Sequence, residues 1–181
     1  MDVMLLRTFQ RQVVLQCEFM LLAAAELNEA LKDGTSAVQQ TTTRVFFSIQ
    51  NLLNAAANIS KAFWGQRGRF AAERQALRDS VGIPDTSPLR DVNMRNNFEH
   101  LDERLDKWWA ESARHNHADL NIGPIGAIAG LDDIDMFRLF DPHSTEIVFW
   151  SQRFNLQSLI DEVQRVLPTL RAEAAKPHWE P

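Results

Sequence analysis

The chain has 181 residues, 45% of them hydrophobic and 24% charged, which is typical of one ordinary globular domain with a core of its own. Its formal charge of -5 excludes a uniformly basic surface for nucleic acid or anionic membrane, so any phosphate-binding patch must be local. The single cysteine, Cys17, lacks a partner for an internal disulfide, which predicts a small core residue in a reducing compartment. Arg7 and Arg11 interrupt the apolar N-terminal pattern, so that it matches neither a signal peptide nor a membrane span. We expect a cytoplasmic protein without a membrane partner.

Two long helices are predicted at the start of the chain. Apolar residues recur at spacings of three and four from Val3 to Leu31, and Asp33-Gly34 then forms a typical helix C-terminus. Thr35 or Ser36 can cap a second helix, whose broad apolar stripe extends from Val45 to Phe63. Because the turn between them is short, the two helices should pack antiparallel.

The segment that follows the second helix reads as a connector with a basic bias. It contains a short helical stretch around residues 71–78 and a loop marked by glycine and proline. An ordinary solvated loop explains its four arginines, which become candidates for RNA binding if the connector folds over the hexapeptide at residues 95–100: Arg67, Arg69, Arg74 and Arg78.

A third long helix is predicted to begin near Ser87-Pro88 and to run to about Ala113. Its expected buried stripe consists of Val92, Phe98, Leu101, Leu105 and Trp108. After His117, short apolar runs separated by glycines and acidic residues predict a small hairpin or sheet. Asn155 should then cap a last helix, which Pro168 should kink or shorten.

These elements predict a mainly α fold. We expect a single domain, residues 1–181, built as an up-and-down four-helix bundle with a short extra helix. A small β insertion at about residues 122–150 should precede the last long helix.

The hexapeptide RNNFEH, residues 95–100, places Arg95, Asn96 and His100 on the predicted third helix. Asn96 and His100 are i and i+4, so the asparagine can orient the imidazole while Arg95 remains available for an anion. Cleavage of RNA without a metal needs a group that removes a proton from a 2′-hydroxyl and a group that stabilises the charge on the phosphate. Histidine and arginine suit these two tasks.

A purely structural alternative explains the same residues. Arg95 and Glu99 are i and i+4, and so are Glu103 and Lys107, as on an ordinary charged, exposed helix face. In addition, Glu99, Asp102, Glu103 and Asp106 cluster near the hexapeptide and would repel RNA phosphates unless they point away or pair with arginines.

The pattern Arg95, Asn96, His100 on the third long helix of a four-helix domain resembles the R-x4-6-H motif of the HEPN superfamily (higher-eukaryote and prokaryote nucleotide-binding domains). The resemblance covers nearly the whole chain and implies a homodimer in which the two motif helices meet in a composite cleft. It implies a metal-independent endoribonuclease of a toxin–antitoxin or defence system, with Arg95 and His100 catalytic and Asn96 orienting or binding. It also implies an RNA substrate and leaves room for a cognate antitoxin or inhibitor protein.

A histidine pair and a tryptophan pair near the end of the predicted third helix are further candidate sites. His115 and His117 form an HxH pair without further ligands at a recognised spacing, so we expect no metal and no other cofactor. Trp109 is a candidate for a dimer contact or base stacking, whereas Trp108 continues the predicted core stripe. In one toxin subgroup of the HEPN superfamily, the antitoxin modifies a tyrosine two residues after the motif histidine. Here position 102 is aspartate and the chain has no tyrosine, which excludes that form of control.

Two functions remain open from the sequence. The first is the HEPN-like endoribonuclease, with His100 as acid/base and Arg95 as transition-state stabiliser. The second is a non-catalytic HEPN-like dimeric module that binds nucleotide, RNA or a protein partner.

Overall fold

The computed structural model describes residues 1–32 and 38–179, which are mainly helical with a small four-stranded sheet before the last helix. Predictions for Asp33-Gly34 and for a cap at Thr35 or Ser36 lie outside the described residues. The helices are α1 (Val3–Lys32), α2 (Val38–Trp64), α3 (Gln75–Val81), α4 (Asn93–Glu99), α5 (Leu101–Glu111) and α6 (Leu156–Ala175). The predicted mainly α class with a β insertion is therefore confirmed. No helix in the described ranges has the length and apolarity to cross a membrane.

The first two helices pack along their lengths in opposite directions. The Asn58 amide donates to Gln16 Oε1 at 3.1 Å, while Arg74 lies over the Phe9 ring and donates to the carbonyl of Ala62 at 2.7 Å. The start of α1 thus lies beside the end of α2. Buried alanines in both helices leave room for close approach. The apolar stripe of α2 predicted from the sequence is buried throughout.

The last helix closes the core against α1. Asn155 Oδ1 accepts from the backbone N–H of Ser158 at 2.9 Å, which confirms the predicted cap. Near the other end, Arg7 is 1% exposed and donates to Glu173. Pro168 lies inside α6, and the helix continues to Ala175, so the proline does not end it.

The predicted third long helix is wrong as a continuous element. The cap at Ser87 exists, but it opens only a 3₁₀ turn, Pro88–Arg90. The helix that follows is then interrupted at His100, whose φ of -101° and ψ of 42° are not helical. Leu105 is 37% exposed and departs from the predicted inward stripe, whereas Phe98 is buried and Leu101 and Trp108 are partly buried against the core.

The interruption has a physical cause in the packing of the two halves. Met94 and Phe98 of α4 are buried in the helical core, whereas Trp108 of α5 donates its indole N–H to Asp135 at 2.9 Å, in the β region. Ser112 donates to the same carboxylate oxygen at 2.6 Å. One straight helix would have to present the same face to both environments, and the bend at His100 separates them.

The sheet is larger than predicted. Its strands β1 (Asn121–Ile122), β2 (Arg138–Asp141), β3 (Glu146–Phe149) and β4 (Gln152–Asn155) are hydrogen-bonded in that order, with only the first pair parallel. The apolar run at residues 123–131 forms no strand. The polar strand β4 had no apolar signal and extends the β region to the start of α6.

The connector after α2 forms a tight turn before α3, the predicted short extra helix. Gly65 is buried with φ of 76°, and a Cβ at this position would lie 2.8 Å from side-chain atoms of Phe70. Glycine is therefore required both for its backbone angle and for space. This turn directs the polypeptide away from the C-terminal end of α2 and forms one wall of a groove on the protein surface.

Candidate phosphate-binding groove

An open groove of about 670 Å³ lies between the C-terminal half of α2, the Gly65–Gly68 turn and the motif helices α4 and α5. Arg95, Asn96 and His100, the three predicted catalytic residues, all line it. The three residues of the hexapeptide therefore share one surface, and their function stays a prediction.

The lining of this groove is strongly basic, although the protein as a whole is acidic. One carboxylate, that of Glu99, belongs to the lining, together with five basic side chains: Lys61, Arg67, Arg90, Arg95 and Arg104. A concave surface that gathers charge of one sign concentrates the electrostatic potential and attracts polyanions. Three of these cations also contact carboxylates, Arg95 with Glu99, Arg90 with Asp85 and Arg104 with Glu103, so within the described residues the excess positive charge comes from Lys61 and Arg67.

Arg95 is held in place by two neighbours on its own helix. Its Nη2 donates to Glu99 Oε1 at 2.7 Å, its Nη1 contacts Glu99 Oε2, and Nη1 also donates to Asn96 Oδ1 at 3.3 Å. The side chain is 18% exposed, and its buried Nε has no hydrogen-bond partner in the described structure. The Arg95–Glu99 pair of the structural alternative therefore exists. Arg95 was expected to remain available for an anion, but Glu99 and Asn96 already bind it.

His100 lies at the junction of α4 and α5 and is 46% exposed. Its Nε2 lies 3.8 Å from Glu99 Oε2, and its Nδ1 lies 3.5 Å from Glu103 Oε1. Asn96 contacts it through the main chain, where the His100 N–H donates to the Asn96 carbonyl at 3.0 Å. The Asn96 side chain is instead bound to Arg95, so the expected orientation of the imidazole by this amide is not seen.

The second asparagine of the hexapeptide, Asn97, is buried and connects the motif helix to two neighbouring elements. It is 5% exposed, donates to Gln152 Oε1 of β4 at 2.8 Å and accepts from Arg104 Nε at 3.1 Å. One buried amide thus links α4, α5 and the sheet. In the sequence, the i+7 relation of Asn97 to Arg104, which places both residues on one helical face, is the signal for this link.

Of the four connector arginines, only Arg67 lines the groove. Arg69 is exposed outside it, whereas Arg74 stacks on Phe9 at 3.8 Å. Arg78 is 3% exposed and donates to the Phe63 carbonyl at 2.7 Å. The proposed RNA-binding role therefore fits Arg67, while Arg74 and Arg78 are occupied in holding α3 against α2.

Three other basic residues of the groove were missed in the sequence. Arg104 follows His100 by four residues, a spacing that could have identified it. Lys61 and Arg90 come from other elements, and no local pattern connects them to the hexapeptide. Arg90 lies 3.7 Å from Asp85, whereas Lys61 and Arg67 have no ion-pair partner among residues 1–32 and 38–179.

The carboxylates near the hexapeptide divide into two groups. Glu99 and Glu103 approach His100, whereas Asp102 and Asp106 do not line the groove. Asp85 lies outside the lining but contacts two lining residues, Trp64 and Arg90. The Trp64 indole N–H, together with the charges of Arg90 and Arg78, holds the pKa of Asp85 below its usual range. This carboxylate therefore stays ionised at neutral pH.

The remaining candidates have structural environments. Cys17 is buried, and burial raises the pKa of its thiol to about 12. His117 packs on Phe137 with ring centroids 4.6 Å apart, and His115 packs on Trp109 at 4.3 Å. Trp109 itself is 66% exposed, and Trp108 is partly buried against the core.

Comparison with models of protein families found no match for this chain, and neither did comparisons with curated proteins and with solved structures.

Proposed function

We propose that the protein is a HEPN-like, metal-independent endoribonuclease. The observation that supports this proposal is the basic groove in which Arg95 and His100 lie together with Lys61, Arg67 and Arg104. Such a groove suits the RNA backbone, which carries one negative charge per nucleotide, and it contains both side-chain types that transesterification needs. The mainly helical fold and the RNNFEH motif are compatible with the same family.

In the proposed reaction, neutral His100 accepts the proton of a 2′-hydroxyl while the 2′-oxygen attacks the adjacent phosphorus. The bond from phosphorus to the 5′-oxygen breaks, and the leaving oxygen takes a proton from a protonated imidazole, that of His100 of the partner subunit. Arg95 and the other cations stabilise the charge on the nonbridging oxygens. The products are a 2′,3′-cyclic phosphate and a 5′-hydroxyl.

A homodimer is part of this proposal because one His100 cannot act as base and acid within a single step. In a symmetric dimer the motif helices would face each other and complete one cleft. RNA is the proposed substrate, in a toxin–antitoxin or defence context that leaves room for a cognate antitoxin or inhibitor.

The test compares wild type, His100→Ala and His143→Ala. His143 lies in the exposed turn between β2 and β3 and serves as the matched control. Purified proteins are incubated with cellular RNA in excess chelator, and growth is followed after induction at equal protein levels. We expect cleavage with cyclic-phosphate ends by wild type and His143→Ala, and a loss of about 10²–10⁴-fold in His100→Ala.

Two results would reject the ribonuclease. One is equal cleavage by folded His100→Ala, and the other is cleavage that disappears with chelator in all variants. A monomeric wild type that cleaves RNA would reject the composite cleft and the proton donation by the partner's His100, while leaving His100 as the base.

The second candidate function is a non-catalytic module with the same fold that binds nucleotide, RNA or a protein partner. It is favoured by the Arg95–Glu99 pair and by the two carboxylates beside His100, because Glu99 and Glu103 already occupy both proposed catalytic side chains. This function predicts RNA binding without cleavage and nearly equal binding by wild type and His100→Ala.

A further inference from the structure

One carboxylate in the groove contacts both of the proposed catalytic groups. Glu99 forms a two-pronged contact with the Arg95 guanidinium, with Nη2 to Oε1 at 2.7 Å, and its Oε2 lies 3.8 Å from His100 Nε2. A carboxylate binds a guanidinium with the same parallel geometry as two oxygens of a phosphate. The carboxylate therefore occupies a position suited to a phosphate.

We propose that the carboxylate of Glu99 marks the subsite for the reacting phosphate of a single-stranded RNA and must leave Arg95 before that phosphate can bind. This inference rests on the proposed function for the identity of the polyanion. Glu99 is thereby a residue that sets the affinity of the groove, because it competes with the substrate for the same guanidinium.

The surroundings allow this exchange. Glu99 is 44% exposed, so its side chain can turn into solvent, whereas Arg95 is 18% exposed and fixed by Asn96. On the Glu99 side the pair is open to solvent, where an ion pair contributes little to stability. A phosphodiester carries the same single charge as the carboxylate, but neighbouring cations of the groove also bind it, so it can displace Glu99 from Arg95. Lys61 and Arg67, which have no ion-pair partner in the described part of the chain, can hold neighbouring phosphates of the same strand.

The experiment measures binding apart from cleavage. The probe is a short single-stranded RNA with methylated 2′-hydroxyls, which cannot form the attacking oxygen, and its Kd is determined at one fixed salt concentration. Glu99→Gln removes the competing carboxylate but keeps the size of the side chain. Asp102→Asn removes the same charge from the next turn, outside the groove lining, and is the matched control.

We expect Glu99→Gln to lower the Kd by about two- to tenfold and Asp102→Asn to change it much less. In an Arg95→Ala background the gain should disappear, because no guanidinium remains to be released. Equal effects of Glu99→Gln and Asp102→Asn would overturn the proposal, and so would an undiminished gain without Arg95.

The outcomes separate this inference from the proposed function. Tighter binding by Glu99→Gln together with no cleavage of unmodified RNA by any variant would support the subsite and reject the ribonuclease. Cleavage that depends on His100, with no gain of affinity in Glu99→Gln, would reject the subsite and support the ribonuclease.

Discussion

Arg67 and Arg78 stand eleven positions apart in the same basic connector, yet they have opposite environments. Arg67 is exposed and lines the groove, whereas Arg78 is 3% exposed and donates to the main-chain carbonyl of Phe63 at 2.7 Å. Removal of a buried donor leaves its acceptor unsatisfied, which costs about 1–3 kcal/mol. Sequence alone gives both residues the same charge and the same composition-based role.

We therefore expect Arg78→Met to lower the free energy of unfolding by about 1–3 kcal/mol, while Arg67→Gln changes it by less than about 0.5 kcal/mol. Arg67→Gln should instead weaken RNA binding. Urea unfolding and a binding titration of both variants check this pair. A destabilised Arg67→Gln or a fully stable Arg78→Met would contradict the assignment.

The hexapeptide shows which residues of the groove a local sequence spacing can identify. The spacing of Arg95, Asn96 and His100 predicted three residues of one groove, and the alternative Arg95–Glu99 pair also followed from the i,i+4 rule. Lys61 and Arg90 could not be found in this way, because tertiary packing alone brings α2 and the Pro88–Arg90 turn to the motif.

Among the elements, α2 and α6 followed the sequence closely because their apolar stripes face a single core. The region from residue 88 to residue 111 did not. Its apolar spacing is continuous, but α4 packs on the helices and α5 is tied through Trp108 to Asp135. A periodicity reports that residues share a face, and it cannot report that two halves of that face have different partners.

The β insertion is fixed by a residue pair that no strand pattern contains. Asp119 precedes β1, and its carboxylate accepts from the backbone N–H of Arg138 at 3.1 Å and from Arg138 Nε at 2.8 Å. Burial raises the pKa of Asp119, but the hydrogen bonds and the charge of Arg138 outweigh it and hold the pKa below its usual range. The ionised carboxylate thus holds the chain before β1 against β2.

We expect Asp119→Asn to lower the free energy of unfolding by about 1.5–3 kcal/mol at neutral pH. Because the pKa is depressed in the folded state, the contribution is complete above the ordinary aspartate value of about 3.9 and is lost as the pH falls below it. Urea unfolding of wild type and Asp119→Asn over this range measures the difference. Asp133→Asn, an exposed change in the same β region, is the control.

The difference between wild type and Asp119→Asn should narrow in acid, while Asp133→Asn should follow wild type throughout. A difference that stays constant from neutral to acid pH would show that the Asp119 charge does not hold the strands.

For the whole molecule, the distribution of charge matters more than its sum. The chain carries a formal charge of -5, but the groove collects five basic side chains and one carboxylate on a single concave surface. The net charge weakens non-specific attraction to RNA at a distance, and the local field acts within about one Debye length. Binding should therefore depend on a few defined contacts.

This charge distribution predicts a modest salt dependence that individual groove residues control. For a single strand, the logarithm of the binding constant falls with the logarithm of salt concentration by about 0.7 for each phosphate contact. Three contacts would give a slope of about -2, and Lys61→Gln should make it less steep by about 0.7. Lys107→Gln is the matched control, since Lys107 lies over the Trp150 ring and 3.8 Å from Glu111, outside the groove lining. If both variants kept the wild-type slope, RNA would bind elsewhere on the protein. If both made the slope less steep by the same amount, the attraction would come from the total charge, and the groove would not be the site of recognition.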